Sequence, residues 1–164
     1  MTIEISRYHD ISCGHRVFGH ESKCVGLHGH NYRITFTAAS EKLDSLGRVI
    51  DFSVLKSALC EWLELNWDHK FLLWVSDPVL LLMRRHERDS LTRVSGYDVT
   101  ETRLAMKQLN ESLCEVPFNP TAENMAEHLL KTVGPLQLLN TGVYLTKVVV
   151  EETRKCSAVA SLDQ

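Results

Sequence analysis

The ten residues HGHNYRITFT, numbered 28–37, contain the pattern from which the fold can be predicted. From His30 onward every second residue is apolar: Tyr32, Ile34 and Phe36. This alternation is typical of a strand with one buried face. Because positions i and i+2 of a strand project to the same side, the imidazoles of His28 and His30 can reach one ion. The stretch therefore predicts a strand with a potential metal site at its start.

Similar patterns predict further elements on both sides of this strand. Residues 2–9 alternate loosely, and residues 143–152 are rich in Val and Tyr, so both are expected to form strands. Apolar residues at helical spacing predict a helix that Asp51 caps and that ends near residue 66. The same spacing predicts a second helix, which Thr121 caps and Gly134-Pro135 stops.

The region from about residue 74 to residue 117 has a weaker pattern. Asp77-Pro78 is a possible helix start, and Asp98 with Glu101 forms a capping box ahead of a second possible helix. We therefore expect a largely helical insertion at about 74–117. The resulting order (strand, strand, helix, insertion, helix, strand) predicts an α+β domain with an antiparallel sheet and helices on one face.

Length and composition narrow the class of protein. The chain has 164 residues, of which 44% are hydrophobic and 24% charged, so we expect one globular domain over residues 1–164. A net charge of −3 with scattered basic residues argues against a nucleic-acid partner. Since no apolar run has the length of a signal or membrane segment, we expect a soluble, cytoplasmic protein without a membrane partner. Five widely spaced cysteines indicate free thiols.

His15, at the end of the first strand, is a candidate third ligand beside His28 and His30, because an antiparallel neighbour can place it next to that pair. Three neutral imidazoles suit zinc and leave one coordination position open, which is typical of catalytic sites. An isolated His-x-His is more often two ordinary strand histidines. Cys24, four residues before His28, is either a fourth ligand or a thiolate held beside the cation.

Two further groups contain titratable side chains. In Asp68-His69 a carboxylate can fix the tautomer of an imidazole for proton transfer, although a surface pair would look the same in the sequence. Glu151 and Glu152 end a predicted buried strand, where a carboxylate can pair with the N–H edge of a ligand. A solvated charge pair is the alternative there.

Taken together, these segments resemble the 6-pyruvoyltetrahydropterin synthase family, which includes the 6-carboxytetrahydropterin synthases. The matching pieces occur in the family's order: His15-Arg16, Lys23 to Tyr32, Gly47 to Phe52 with Leu55-Lys56, Asp68-His69, Pro120 to Asn124, and Glu151 to Thr153. Such a match over nearly the whole chain is far more specific than any one motif.

The resemblance implies a role for each site residue. Zinc, one ion per subunit, would be bound by His15, His28 and His30, and Cys24 would be the base that abstracts a proton. The proton-relay pair would be Asp68 and His69. Glu152 would anchor a pterin ring in a pocket that Thr121 lines.

The family also implies an activity and an assembly. The implied reaction converts 7,8-dihydroneopterin triphosphate to 6-carboxytetrahydropterin with loss of acetaldehyde and triphosphate, on the route to queuosine. Three residues separate Cys24 from His28, as in the carboxypterin-forming bacterial members rather than the pyruvoyl type. The implied fold is the tunnelling fold (T-fold), with a four-stranded antiparallel sheet and two main helices, assembled as a trimer-based homo-oligomer or hexamer in which Asp68 and His69 serve a neighbour's zinc. Arg16 and Lys23 are candidate triphosphate ligands.

Three alternatives remain open at this stage. They are a pyruvoyl-forming or related pterin lyase, a metal-dependent hydrolase, and a zinc-stabilised binding module without catalysis. The sequence also departs from the family pattern. Residues 11–14 read Ile-Ser-Cys-Gly where the family usually has Phe-x-Ala-Ala, and the insertion is longer than in compact members.

Overall fold

One mixed sheet forms the framework of the molecule. In the computed structural model, which describes residues 2–89 and 99–162, the sheet has six strands in the order β4-β3-β1-β2-β5-β6. The strands are β1 Glu4–His15, β2 His28–Ser40, β3 Phe71–Trp74, β4 Leu113–Val116, β5 Val143–Thr153 and β6 Cys156–Ser161. β1, β2, β5 and β6 pair antiparallel, whereas β3 runs parallel to both β1 and β4.

The helices connect these strands. Their bounds are α1 Phe52–Leu55, α2 Glu61–Asn66, α3 Pro78–Asp89, α4 Val99–Ser112, α5 Ala122–His128 and α6 Gly134–Gln137. A π-helical turn, Lys56–Cys60, joins α1 to α2, and a second one, Leu129–Val133, joins α5 to α6. Asp51 caps α1 by accepting a hydrogen bond from the Ser53 amide, as the sequence predicts.

The core lies between the sheet and the two main helical segments. Alternate residues of β1 and β2 point into it, so Ile11, Tyr32 and Ile34 are buried. The helices contribute the following fully buried side chains: Leu55, Leu59, Leu63, Met125 and Leu129. The opposite face of the sheet is polar, and on it Arg33 pairs with Asp10 at 2.8 Å. The predicted α+β class is confirmed, but the sheet is mixed and not purely antiparallel as predicted, because β3 runs parallel to its two neighbours.

Two further details of the predicted fold are wrong. The sheet of the described chain has six strands instead of four, because β3 and β4, at the two ends of the expected insertion, pair with each other and extend it beyond β1. The second main helix also does not stop at Gly134-Pro135. Pro135 lies in the first turn of α6, directly after the π-helical turn, and the helical path continues to Gln137.

Gly14 allows β3 to lie close to β1. A Cβ atom at this position would lie 2.3 Å from Cδ2 of Phe71, whose ring covers the glycine. Gly14 and Phe71 are also partners in the parallel pairing of the two strands. The absence of a side chain at Gly14 therefore fixes how the ring of Phe71 sits on the sheet.

The expected helical character of the region between β3 and β4 is partly visible. α3 begins at Pro78, and Asp77 caps it by accepting a hydrogen bond from the Val79 amide at 2.8 Å. The predicted capping residue Asp98 lies outside the described residues. Within those residues, none of the helices combines the length and the apolar character that a membrane crossing requires.

Candidate active site

Three histidines converge at one end of β1 and β2. His15, the last residue of β1, is paired in register with His28, and Cys13 is paired with His30, so all three imidazoles project from the core face of the sheet. Their ring centroids lie 4.4 to 5.2 Å apart. One ring nitrogen from each histidine lies within 4.8 Å of the other two. The alternation that predicted the strand has thus brought the three predicted ligands together.

Hydrogen bonds to carbonyl groups set the tautomers of two of these rings. Nδ1 of His15 donates to the carbonyl of Pro120 at 2.7 Å, and Nδ1 of His28 donates to the carbonyl of Gly26 at 2.9 Å. Both Nε2 atoms therefore present a lone pair. Nε2 of His28 is buried without a hydrogen-bond partner in the described structure, a costly state that a bound cation would relieve. The donor set fits zinc, whose ligands at catalytic sites include three histidines.

The surroundings of His15 favour its neutral form. Burial lowers the pKa of His15, and the nearby His28 and His30 lower it further, while the Pro120 carbonyl and Glu152 act in the opposite direction. The net pKa lies below the ordinary value of an imidazole. A ring that remains neutral at physiological pH keeps its Nε2 lone pair for a cation.

Glu152 lies beside the three histidines. Its Oε1 atom is 3.5 Å from Nε2 of His15 and 3.6 Å from Nε2 of His30, while the hydroxyl of Tyr32 lies 3.4 Å away and donates to it. Glu151, the preceding residue, projects from the polar face and is paired in register with Arg33. The structure therefore places Glu152, and not Glu151, at the histidine cluster.

Cys24 lies in a short 3-10 turn, Lys23–Val25, between β1 and β2. It is half-buried, and its carbonyl accepts a hydrogen bond from the Val17 amide at 2.8 Å. Among the described residues, the cluster able to hold a metal contains the three histidines but not this thiol. Burial raises the pKa of Tyr32 far above its usual value, and Cys24 adds to that effect. The two roles predicted for Cys24, base and fourth ligand, stay predictions.

Asp68 and His69 form the pair that their sequence adjacency allows. Nδ1 of His69 lies 2.8 Å from Oδ2 of Asp68, whose other oxygen accepts a hydrogen bond from the Ser12 amide at 2.8 Å. Burial raises the pKa of Asp68, but the hydrogen bonds from Ser12 and His69 outweigh burial and hold it below its ordinary value. The carboxylate thus stays ionised and orients the imidazole.

The pair stands at the outer edge of β1, away from β2. The side chain of His69 is 83% exposed, and its backbone has a φ of 55°, in the left-handed region. The ring lines an open cavity of about 570 Å³ together with His28 and His30. Within the described chain it is not one of the metal-binding group. An exposed, strained residue that a carboxylate orients is suited to act on a partner molecule.

Thr121 caps α5 by accepting a hydrogen bond from the Asn124 amide at 3.2 Å. The structure gives Thr121 this structural role, and its predicted pocket-lining role stays a prediction. Adjacent residues hold the histidine cluster and the loop before α5, a role that the sequence analysis did not predict for them. The carbonyl of Pro120 holds His15, the side chain of Asn124 donates to the carbonyl of Asn119 at 2.8 Å, and the side chain of Asn119 bonds both backbone polar groups of Phe18. In the sequence, this role could have been inferred from Asn119-Pro120-Thr121 followed by Asn124, three residues after Thr121.

Arg16 forms an ion pair with Asp77. Its Nε atom lies 3.0 Å from Oδ2 of Asp77 as an ion pair without hydrogen-bond geometry, and the two side chains are only 12% and 1% exposed. A guanidinium committed to a buried carboxylate is a poor triphosphate ligand, so this expectation is not supported. Lys23 is exposed beside Cys24 and stays a candidate.

Sequence comparisons place this chain among pterin enzymes. The family profile of 6-pyruvoyl tetrahydropterin synthase matches residues 4–162. The 6-carboxy-5,6,7,8-tetrahydropterin synthase of Rickettsia typhi is 30% identical over 154 residues, covering 94% of this chain and 96% of its own. The enzyme of the same name from Aquifex aeolicus is 32% identical over 177 residues, covering 96% and 97%.

Solved structures share the fold. An uncharacterized protein from Wolinella succinogenes superposes with a TM-score of 0.81 at 24% identity, covering 99% of both chains. The 6-pyruvoyl tetrahydropterin synthase of Plasmodium vivax superposes with a TM-score of 0.66 at 18% identity, covering 100% of this chain and 99% of its own. At these identities the likeness is one of architecture, and it agrees with the expected T-fold class.

Proposed function

The chain belongs to the 6-pyruvoyl tetrahydropterin synthase family, and on that premise we propose that it is a zinc-dependent 6-carboxy-5,6,7,8-tetrahydropterin synthase. The proposed reaction converts 7,8-dihydroneopterin triphosphate to 6-carboxy-5,6,7,8-tetrahydropterin, with release of acetaldehyde and triphosphate, on the route to queuosine. The cluster of His15, His28 and His30, with ligand atoms within 4.8 Å of one another, is the observation that supports the proposal most. Relatives of that name over the full chain length support the product.

The three histidines would hold the ion through Nε2 of His15 and His28 and one nitrogen of His30. When bound, zinc supplies Lewis acidity and an attachment point for the hydroxyls of the substrate side chain. Glu152 would accept hydrogen bonds from the N–H groups of the pterin ring, because its carboxylate lies beside the histidines and is partly exposed. Such an anchor fixes where the side chain of the substrate comes to rest.

Proton transfer is assigned to Cys24 and His69. Cys24, as a thiolate, would take a proton from the substrate side chain. His69, oriented by Asp68, would donate or accept a proton on the opposite side. Two groups in separate surroundings can thus perform opposite proton transfers.

The exposure of His69 and the open edges of the sheet support a site shared between subunits. In the described part of the chain, β3 pairs only with Gly14 and His15 of β1, so the outer edge of β1 from Glu4 to Asp10 has no strand beside it. β6 leaves the opposite edge of the sheet open as well. We propose that copies of the chain join through these edges as a trimer-based homo-oligomer, either one trimer or two stacked as a hexamer, and that His69 reaches the zinc of a neighbour.

Incubation of the purified, zinc-loaded protein with 7,8-dihydroneopterin triphosphate tests the proposed reaction. Mass spectrometry should show 6-carboxytetrahydropterin, and acetaldehyde should be released in equal amount. A pyruvoyl product would assign the chain to the other activity of the family. If no product forms and chelation of zinc unfolds the protein, the binding-module alternative is correct instead.

A further inference from the structure

The hydroxyl of Tyr32 touches both the metal site and the proposed pterin anchor. We propose that Tyr32 is a positioning residue: once a cation occupies His15, its hydroxyl donates to Glu152 and holds that carboxylate for the ring. This inference rests on the proposed function, because it takes Glu152 as the ring anchor. It adds a link between metal occupancy and substrate binding.

Tyr32 is fully buried, and its hydroxyl lies between two acceptors. The oxygen is 3.1 Å from Nε2 of His15 and 3.4 Å from Oε1 of Glu152. Both contacts occur at the core face of the sheet, where water has little access. A hydroxyl in such a place must use its hydrogen on one of its neighbours, because an unsatisfied buried polar group is costly.

Counting donors and acceptors shows which neighbour accepts the hydroxyl hydrogen of Tyr32. Tyr32 has one hydroxyl hydrogen, whereas both Nε2 of His15 and the carboxylate of Glu152 accept. His15 has already used its own N–H on the carbonyl of Pro120 at 2.7 Å, so its Nε2 is a lone pair. Without a cation, that lone pair competes with Glu152 for the hydrogen. With a cation on Nε2, Glu152 is the acceptor that remains.

The main alternative is that the hydroxyl of Tyr32 orients the ring of His15. Pro120 already orients that ring through the shorter bond, at the nitrogen opposite the cation. Glu152, by contrast, has a side chain that is 28% exposed, near the end of β5, where the pairing with β6 is irregular between Glu151 and Thr153. Within the described chain its carboxylate accepts a hydrogen bond from Tyr32, while its contacts with His15 and His30 are longer. Loss of the hydroxyl should therefore affect Glu152 more than the metal.

The test compares Tyr32→Phe with a control, Tyr144→Phe, which removes a hydroxyl from a 45% exposed residue of the same sheet. Zinc affinity is measured by competition with a chelating dye, and turnover with 7,8-dihydroneopterin triphosphate. In Tyr32→Phe we expect zinc affinity within about twofold of wild type, KM raised about tenfold and kcat within about twofold, as for loss of a ground-state hydrogen bond to a charged group. Tyr144→Phe should change none of these.

A double-mutant cycle tests the route through Glu152. In a Glu152→Ala background, which removes the oxygens that accept from Tyr32, Tyr32→Phe should raise KM by less than about twofold, because the two residues act as one unit. Full additivity would overturn the inference. So would a Tyr32→Phe protein that loses zinc but has a normal KM at saturating zinc, since the hydroxyl would then brace His15.

A measurement on the wild type keeps the inference testable if Tyr32→Phe does not fold. Zinc loading should tighten binding of 6-methylpterin, which has no side-chain hydroxyl for the metal, about tenfold by fluorescence titration. Equal affinity with and without zinc would overturn the inference. If the wild type binds 6-methylpterin in this zinc-dependent way but forms no product from the triphosphate, the proposed reaction fails while the link between Tyr32 and Glu152 stands.

Discussion

Nδ1 of His15 donates a hydrogen bond to the carbonyl of Pro120 across 2.7 Å, and this contact joins residues 105 positions apart in the sequence. It ties the end of β1 to the loop before α5. That loop is itself held by Asn119 and Asn124. The orientation of one predicted metal ligand therefore depends on how a distant helix begins.

The start of α5 can be tested at Thr121. Thr121→Ala removes the side chain that accepts from the Asn124 amide, and should lower the free energy of unfolding by about 1 kcal/mol, the usual cost of losing an N-cap. Thr121→Ser retains the hydroxyl and should remain close to wild type. Urea unfolding measures both. If Thr121→Ala leaves stability unchanged but weakens pterin binding, then Thr121 acts on the ligand and its cap is unimportant.

His28 is the most direct test of the metal centre. His28→Ala removes a nitrogen that is buried without a partner, and should reduce bound zinc from about one ion per chain to about a tenth of that or less. His20→Ala is the matched control, because His20 is half-buried in the same connection and contacts the Ser22 amide. Elemental analysis of the purified proteins gives the answer. Full zinc content in His28→Ala would refute the assignment.

Cys24 and His69 can be tested together by mixing subunits. Cys24→Ala and His69→Ala should each bind zinc normally and lose turnover by about a hundredfold or more, because each removes a proton-transfer group. If a site combines Cys24 of one chain with His69 of its neighbour, random hybrids made by mixing equal amounts should regain about a quarter of wild-type turnover. No recovery in verified hybrids would place both residues of a site in one chain.

The buried ion pair of Arg16 and Asp77 should matter for stability. Asp77→Ala leaves the guanidinium of a nearly buried Arg16 without its partner, and should cost about 3–5 kcal/mol by urea unfolding. Asp77 also caps α3, so part of this cost comes from the helix. The double variant Arg16→Met with Asp77→Ala should recover some of the loss. No recovery would mean that the cap, and not the unpaired charge, dominates.

His128 predicts a pH dependence of stability. Burial against Trp67 and Phe118 lowers its pKa below the ordinary 6.5. The folded protein then keeps His128 neutral while the unfolded chain takes up a proton, so the stabilisation is complete above about pH 6.5 and is lost as pH falls through the lowered value. His128→Phe keeps the packing and should flatten this slope, by at most about 1.4 kcal/mol per pH unit.

The measurement compares zinc-free wild type and His128→Phe by urea unfolding between pH 5 and 8. Burial also lowers the pKa of His15, but that contribution is present in both proteins and cancels in the difference. Identical slopes would show that His128 is not the group responsible.

The sequence was most informative where structure is local. Alternation in residues 28–37 predicted a strand and the side on which its histidines project, and the register of β1 then supplied His15. Asp51 and Thr121 identified helix starts because capping depends on neighbouring residues alone. These parts could be predicted without knowing the rest of the chain.

Long-range contacts were harder to foresee. β3 and β4 have four residues each, too few for a periodic pattern, and they are strands because they pair with each other. β6 was overlooked, although only the turn after β5 separates it from that strand. The partners of Arg16 and His15 are a side chain and a carbonyl far along the sequence. No spacing rule indicates such contacts.

The close approach of Gly14 and Phe71 restricts how this part of the chain can evolve. Where the family pattern usually has alanine, a methyl group here would collide with the aromatic ring. Alanine can therefore replace Gly14 only after Phe71 has been replaced by a smaller residue or its ring has adopted another rotamer. Positions 14 and 71 should consequently vary together among descendants of this sequence, so that the residue at one position indicates which residues the other can hold.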